Sequence, residues 1–368
     1  MPGTAMSPVQ AAVILLVAAG GAALATPAVA YLARTFGVFD RPDERKVNRR
    51  QGIPLLGGLA VALGFLVGLS VALLLTGSGA QHSGHLEGQI LGGLLVLALG
   101  VVDDRWPLSA RPKLLVQGTA AAVAIAYGFR IDHLTDPVSR NVLWFPEPLV
   151  WGLTALWIVG ITNAVNLMDG LDGLATGVGA IIGATLTWIC LQGGEPLGVF
   201  VGLAFVGALL GFLPWNFPPA RIFLGDTGAL FIGFNLALLA LEGYRKLSVL
   251  TFVVPLLALA VPLMDTTLSI YRRLRRRASI LSPDRQHIHH RLLESEGSHR
   301  AAVLSIWFLT ACFCVIAVSF TSLEGWAALV FLGLVVLLTL RLLRNLGFFD
   351  VVETATSGEP RVGEEERR

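Results

Sequence analysis

Residues 163–177 read NAVNLMDGLDGLATG and place two amides and two carboxylates among glycines, directly after the uncharged run PLVWGLTALWIVGIT. Asn163, Asn166 and Asp169 are three apart. On a continuing helix they form one stripe, each step turning roughly 60°. Gly170 and Gly173 then end the helix and leave Asp172 in a turn before the next apolar run. Carboxylate and amide oxygens are hard ligands that suit Mg²⁺. The same residue types beside glycine are also ordinary turn formers, so the stretch by itself carries both readings.

Three further segments carry chemistry. VVDDRWPLSARPK (101–113) sets Asp103 and Asp104 side by side at the end of an apolar run, close before Arg111 and Lys113. Such a pair can hold a metal, align a charged substrate or simply stay wet at a helix end. PWNFPPARIFLGDTGALFIG (214–233) puts Asp226 just ahead of another apolar run, where it serves either as an N-cap or as a second metal ligand. No GK[ST] follows, so this is not a phosphate-binding Walker loop. RRLRRRASILSPDRQHIHHRLL (272–293) holds His287, His289 and His290 between Arg285 and Arg291. Neutral imidazoles ligate zinc, but such basic flanks favour an anion, with His and Arg as donors to phosphate.

The elements that must position these residues are membrane helices. Of 368 residues, 54% are hydrophobic and 14% charged, with a mean hydropathy of +0.71; a soluble domain carries roughly 25% charged residues. Apolar runs at about 9–35, 55–76, 88–102, 112–128, 149–165, 174–191, 197–213, 228–243, 248–270, 301–320 and 325–345 are long enough to cross a bilayer as helices. The expected fold is all-α and polytopic, with about eleven transmembrane helices. The expected organisation is one membrane-embedded domain over 1–345 and a charged, disordered tail over 346–368. The first run lacks the basic n-region of a signal peptide and reads as a retained helix. Cys190, Cys312 and Cys314 lie inside apolar runs and read as packing residues.

All but four of the 27 Lys and Arg fall on one set of connections, the exceptions being Arg130, Arg140, Arg245 and Lys246. The positive-inside rule makes that set cytoplasmic, with the N-terminus out and the C-terminus in. Every polar cluster above, and the basic stretch RPDERKVNRRQGIPLLGG (41–58), then faces the cytoplasm. A transporter or flippase concentrates ionisable residues near the bilayer midplane. Clusters at one face suit an enzyme that joins a soluble substrate to one held in the lipid.

VVDDR…SARPKLLVQ, NAVNLMDGLDGLATG, FLGDTGALFIG and SPDRQHIHHRLL together resemble the motifs of the polyprenyl-phosphate N-acetylhexosamine-1-phosphate transferases, glycosyltransferase family 4. The resemblance covers roughly residues 9–345. It implies transfer of a sugar 1-phosphate from a UDP-N-acetylamino sugar to undecaprenyl phosphate, with release of UMP and a requirement for Mg²⁺ or Mn²⁺. This would be a first membrane step of envelope polysaccharide synthesis, such as teichoic acid or lipopolysaccharide O-antigen, at the bacterial inner membrane. It further implies that Asp103 and Asp104 sit beside the lipid phosphate, that Asn166 and Asp226 ligate the metal, and that Asp169 is a further active-site acid. His287, His289 and His290 would line the sugar-diphosphate site, and Lys46 is the candidate basic residue of the first cytoplasmic loop. Lys113 and Arg111 are placed to hold the lipid phosphate, and Asn163, Asp172 and Arg285 to contact substrate. A homodimer is the family-level expectation, and no nucleic acid is expected as a partner.

The attack joins two polyanions, so charge neutralisation and in-line positioning dominate the catalytic problem. A base role for Asp103 gains little, because a phosphate monoester with a second pKa near about 6 is largely dianionic at pH 7. A covalent phospho-sugar on an Asp stays open. HIHHRLL resembles the GlcNAc-1-phosphate branch more than the HHHFE-like segment of phospho-MurNAc-pentapeptide transferase. UDP-GlcNAc is therefore the expected donor, with other UDP-N-acetylamino sugars open.

Overall fold

The computed structural model describes residues 6–40, 52–76, 83–135, 141–244, 250–275, 292–293, 296–323 and 325–345. The expectations for Lys46, Arg285, His287, His289, His290 and the 346–368 tail concern residues outside these.

Twelve helices make up the described chain: α1 (Pro8–Thr35), α2 (Gly57–Thr76), α3 (Ser83–Arg105), α4 (Ala110–Ala126), α5 (Glu147–Met168), α6 (Leu174–Gly193), α7 (Pro196–Asn216), α8 (Gly225–Tyr244), α9 (Leu250–Ala258), α10 (Ala260–Arg275), α11 (His299–Phe320) and α12 (Gly325–Asn345). Their ends follow local chemistry. Ser7 and Gln10 close a reciprocal capping box on α1. Pro148 and Pro196 occupy first turns of α5 and α7, where no N–H is missed. Eight of the helices are long and apolar enough to cross a membrane, as expected of an all-α polytopic chain. The other three expected spans coincide with the 17-residue α4, the α9–α10 pair and α12.

Two details differ from the sequence expectation. The ninth span is two helices parted at Leu259. Pro262 has no N–H to give the Ala258 carbonyl four residues back, and the Cys314 thiol on α11 donates to that carbonyl instead, at 3.9 Å. The 129–148 connection also carries a small antiparallel hairpin, β1 (His133–Thr135) against β2 (Val142–Trp144), with His133 opposite Trp144.

The centre of the bundle is α8. Within its most apolar window 89% of residues are buried, against 28% for α1. It packs against α2, α3, α5, α6 and α7. Its first turn meets α2 and α3 backbone to backbone. A Cβ on Gly58 would lie 2.2 Å from the Gly228 nitrogen, and one on Gly100 would lie 2.3 Å from the Thr227 Cα. Backbone pairing continues outward: the Gly57 and Gly58 N–H groups donate to the Phe223 and Leu224 carbonyls, each at 3.0 Å, and Phe223 N–H donates to the Pro54 carbonyl at 2.9 Å. Small residues on α2 and α3 thus fix where the α8 N-terminus sits.

Candidate active site

Five of the expected acids and amides converge at that N-terminus. Helix α5 continues to Met168 and is capped at Asp169, so Asn163 and Asn166 lie on it as the three-residue spacing predicts. Asn166 reaches α8, its Nδ2 donating to Asp226 Oδ1 at 3.1 Å. Lys113, in the first turn of α4, donates from Nζ to Asp226 Oδ2 at 2.8 Å and also pairs with Asp103. One ammonium therefore bridges two carboxylates. Behind it, Asp103 accepts from the Leu108 N–H at 2.7 Å. The Asp103 side chain is 4% exposed and that of Asp226 34%, so Asp226 presents the open face of the pair.

Asp104 does something different from Asp103. Its Oδ1 accepts from the Asp226 N–H at 2.8 Å. Its Oδ2 accepts from the Thr227 N–H at 3.2 Å and the Thr227 hydroxyl at 2.6 Å. The first N–H groups of a helix have no partner within it, and here a carboxylate from another helix supplies one. The sequence offered Asp226 itself as the cap of this helix. Capping from α3 instead leaves the Asp226 carboxylate to Lys113 and Asn166. Gly225 has φ +71, and a Cβ there would sit 2.3 Å from Asp104 Oδ2, so only glycine fits the turn.

Asp169 lies just past the end of α5, half-buried. Burial, and then the charges of Asp226, Asp104 and Asp172, push its carboxyl up to about 8, while a hydrogen bond from the Ala175 backbone pulls the other way. Asp172 stands in the turn, as expected, but faces inward. Its Oδ2 accepts from the Ala220 N–H at 2.9 Å, and its own N–H donates to His299 Nε2 at 3.1 Å. Arg300 Nε adds a bond to the Pro218 carbonyl at 2.8 Å. The turn, the 217–221 connection and the start of α11 are thereby tied together. Asn163 pairs its amide reciprocally with Gln117 of α4 and donates to the Val159 carbonyl at 2.8 Å. Its visible partners hold α4 to α5, one turn from Asn166.

Sequence reasoning did not single out Thr227, Gln117, Gly58, Gly100 or His299. Thr227 had a legible signal: the residue ahead of Gly225 is Leu224, which cannot cap, so α8 needs an acceptor from elsewhere. The others act through contacts with distant parts of the chain.

The donor set fits a small hard cation. Asn166 Nδ2 and Asp226 Oδ1 are 3.1 Å apart; turning the amide over puts two oxygens at that spacing, close to the ~2.9 Å ligand–ligand edge around a Mg²⁺ with 2.0–2.1 Å bonds. Among the described residues no three His, Cys, Asp or Glu side chains form a ready cage.

Residues 87–244 match the family model described as Glycosyl transferase family 4. The chain is 38% identical over 308 residues to the "Probable undecaprenyl-phosphate N-acetylglucosaminyl 1-phosphate transferase" of Bacillus subtilis, covering 83% of each. It is 37% identical over 309 residues to the decaprenyl-phosphate N-acetylglucosaminephosphotransferase of Mycolicibacterium smegmatis, covering 77% of this chain and 75% of that one. With the undecaprenyl-phosphate alpha-N-acetylglucosaminyl 1-phosphate transferase of Escherichia coli K12 it shares 29% identity over 293 residues, 78% of this chain and 77% of the other.

Proposed function

Since the chain belongs to glycosyl transferase family 4, the polyprenyl-phosphate N-acetylhexosamine-1-phosphate transferases, we propose that it moves GlcNAc 1-phosphate from UDP-GlcNAc to undecaprenyl phosphate and releases UMP. The observation that carries this is the gathering of Asn166, Asp104 and Asp169 around Asp226, whose carboxylate shares the Lys113 ammonium with Asp103. The relatives named for GlcNAc 1-phosphate transfer favour that sugar over UDP-MurNAc-pentapeptide. They name both undecaprenyl and decaprenyl phosphate, so a polyprenyl phosphate is the common acceptor. The bias of Lys and Arg to one set of connections supports a site facing the cytoplasm at the bacterial inner membrane.

An oxygen of the lipid phosphate attacks the β-phosphorus of the UDP-sugar. A new P–O bond forms there, the bond from that phosphorus to the bridging oxygen breaks, and UMP leaves with the electron pair. The acceptor is largely a dianion at pH 7, so no proton need be removed first. Asp226 and Asn166 would hold the Mg²⁺, which supplies charge neutralisation on the diphosphate when bound. Lys113 is placed to meet the acceptor phosphate, and Asp103 behind it orients the ammonium. Asp169 adds negative charge to the cation side of the cluster once ionised. The arrangement accelerates transfer by positioning and electrostatics.

The test uses purified protein in detergent with undecaprenyl phosphate and Mg²⁺, offered UDP-GlcNAc and UDP-MurNAc-pentapeptide separately. UMP release with UDP-GlcNAc alone is expected. Release with the pentapeptide substrate alone, or with neither donor, would refute the UDP-GlcNAc assignment.

A further inference from the structure

The adjacent acids at 103 and 104 look interchangeable in sequence and are not so in space. Asp103 faces Lys113 from the buried side of the cluster. Asp104 has both oxygens engaged by the first turn of α8, through the Asp226 N–H, the Thr227 N–H and the Thr227 hydroxyl. No residue local to α8 can make these bonds, because Leu224 precedes a Gly225 held at φ +71. Thr227 is fully buried, so water cannot replace the two bonds it makes. We infer that Asp104 is a positioning residue: it fixes the helix turn that carries Asp226, and through it the cation site, without touching substrate. This inference rests on the reading of Asp226 as a cation ligand.

The geometry explains why an acid is needed. Three donors converge on two oxygens, and an Asn at 104 would turn an NH₂ toward donors on one side. Charge-assisted bonds to N–H groups at a helix N-terminus are also the stronger kind. Outer partners of metal ligands typically govern affinity by about 10–100-fold.

The experiment reads two quantities on the full-length protein, without turnover. One is amide hydrogen exchange across residues 223–230; the other is Mn²⁺ affinity by electron paramagnetic resonance. Asp104→Asn should speed exchange at Asp226 and Thr227 and weaken Mn²⁺ by about 10–100-fold. Thr227→Val, which deletes only the hydroxyl donor, should shift both in the same direction and less, and Thr227→Ser should restore them. The double variant Asp104→Asn/Thr227→Val should fall short of the sum of the two, as for residues acting through one contact. Asp226→Asn is the reference for the cation reading. Unchanged exchange in Asp104→Asn would overturn the positioning role. Faster exchange with unchanged Mn²⁺ affinity, where Asp226→Asn does weaken it, would overturn the link to the cation site. Unchanged affinity in Asp226→Asn itself would remove the cation reading, and the inference with it, while the exchange data still report whether Asp104 holds α8.

Discussion

The seam between α3 and α8 has a polar tie at each end, and the two ties are built on opposite principles. Near the start of α3, His85 Nδ1 meets Glu242 Oε1 at 2.5 Å, and one turn on, Gln89 Nε2 donates to Asn235 Oδ1 at 2.9 Å. Asn235 Nδ2 donates in turn to the Phe231 carbonyl at 2.8 Å. Imidazole answers carboxylate and amide answers amide. At the other end, about 28 Å along α3 at 1.5 Å per residue, four carboxylates crowd together: Asp103, Asp104, Asp169 and Asp226. Among the described residues Lys113 is the one basic group paired with them.

Burying charge is costly unless it is paired. The His85 end meets that condition internally and reads as structure. The Asp226 end does not: its acids outnumber the one ammonium paired with them, and a divalent cation would supply the missing positive charge. The difference marks the working end of the seam.

Variants can break this contrast. The largest effect is expected from Asp226→Asn. Loss of a cation ligand removes several kcal/mol of transition-state stabilisation, so UMP release should fall on the order of a thousandfold or more; turnover close to wild type would erase the distinction between the ends. At the other end, Glu242→Leu leaves His85 without its carboxylate. Leaving a largely buried polar group without its partner costs about 1–3 kcal/mol of stability, read as a lower melting temperature, while turnover of the folded protein stays within about twofold because the sites are distant. Replacing both partners, His85→Leu with Glu242→Leu, should recover most of that stability, as for other buried pairs exchanged for apolar residues.

Gly58→Ala tests the frame that holds the working end. The added methyl meets the Gly228 backbone, and overpacking of this kind costs about 1–3 kcal/mol. A melting temperature equal to wild type would show that α8 can back away from α2.

The smallest effect is a pH dependence. The Asp169 carboxyl lies up at about 8 in the folded protein against 3.8 ordinarily. A folded-state value above the unfolded one means the folded protein binds the proton more tightly. Its contribution is therefore complete below the unfolded value and is lost as pH rises through the folded one. In EDTA, the melting temperature should fall by roughly a few degrees between pH 6 and 8.5. Asp169→Asn should flatten the slope, and added Mg²⁺ should oppose it.

Much of this was legible in the chain. The α5 stripe followed from three-residue spacing and glycine punctuation, because both are local. The ninth span was legible as an apolar run, but its division was not, since the Ala258 carbonyl that Pro262 cannot bond is met by the distant Cys314. The acids were identifiable by type and company. Their division of labour was not, because the bonds from Asp104 to Asp226 and Thr227 cross 122 and 123 residues of chain. The same holds for Asp172, whose partners Ala220 and His299 come from two later segments.

The contrast between the two ends implies a divalent cation at the acid-rich one and none at the balanced one. The most direct test is UMP release from UDP-GlcNAc and undecaprenyl phosphate as free Mg²⁺ is raised from an EDTA-buffered zero. It is run side by side on the wild-type protein, Asp226→Asn and the His85→Leu/Glu242→Leu double variant. Turnover should be absent without the cation, the saturation curve should be the same for wild type and the double variant, and that of Asp226→Asn should be lost or strongly shifted. Undiminished wild-type turnover in EDTA, or a double variant whose curve moves with that of Asp226→Asn, would contradict this contrast.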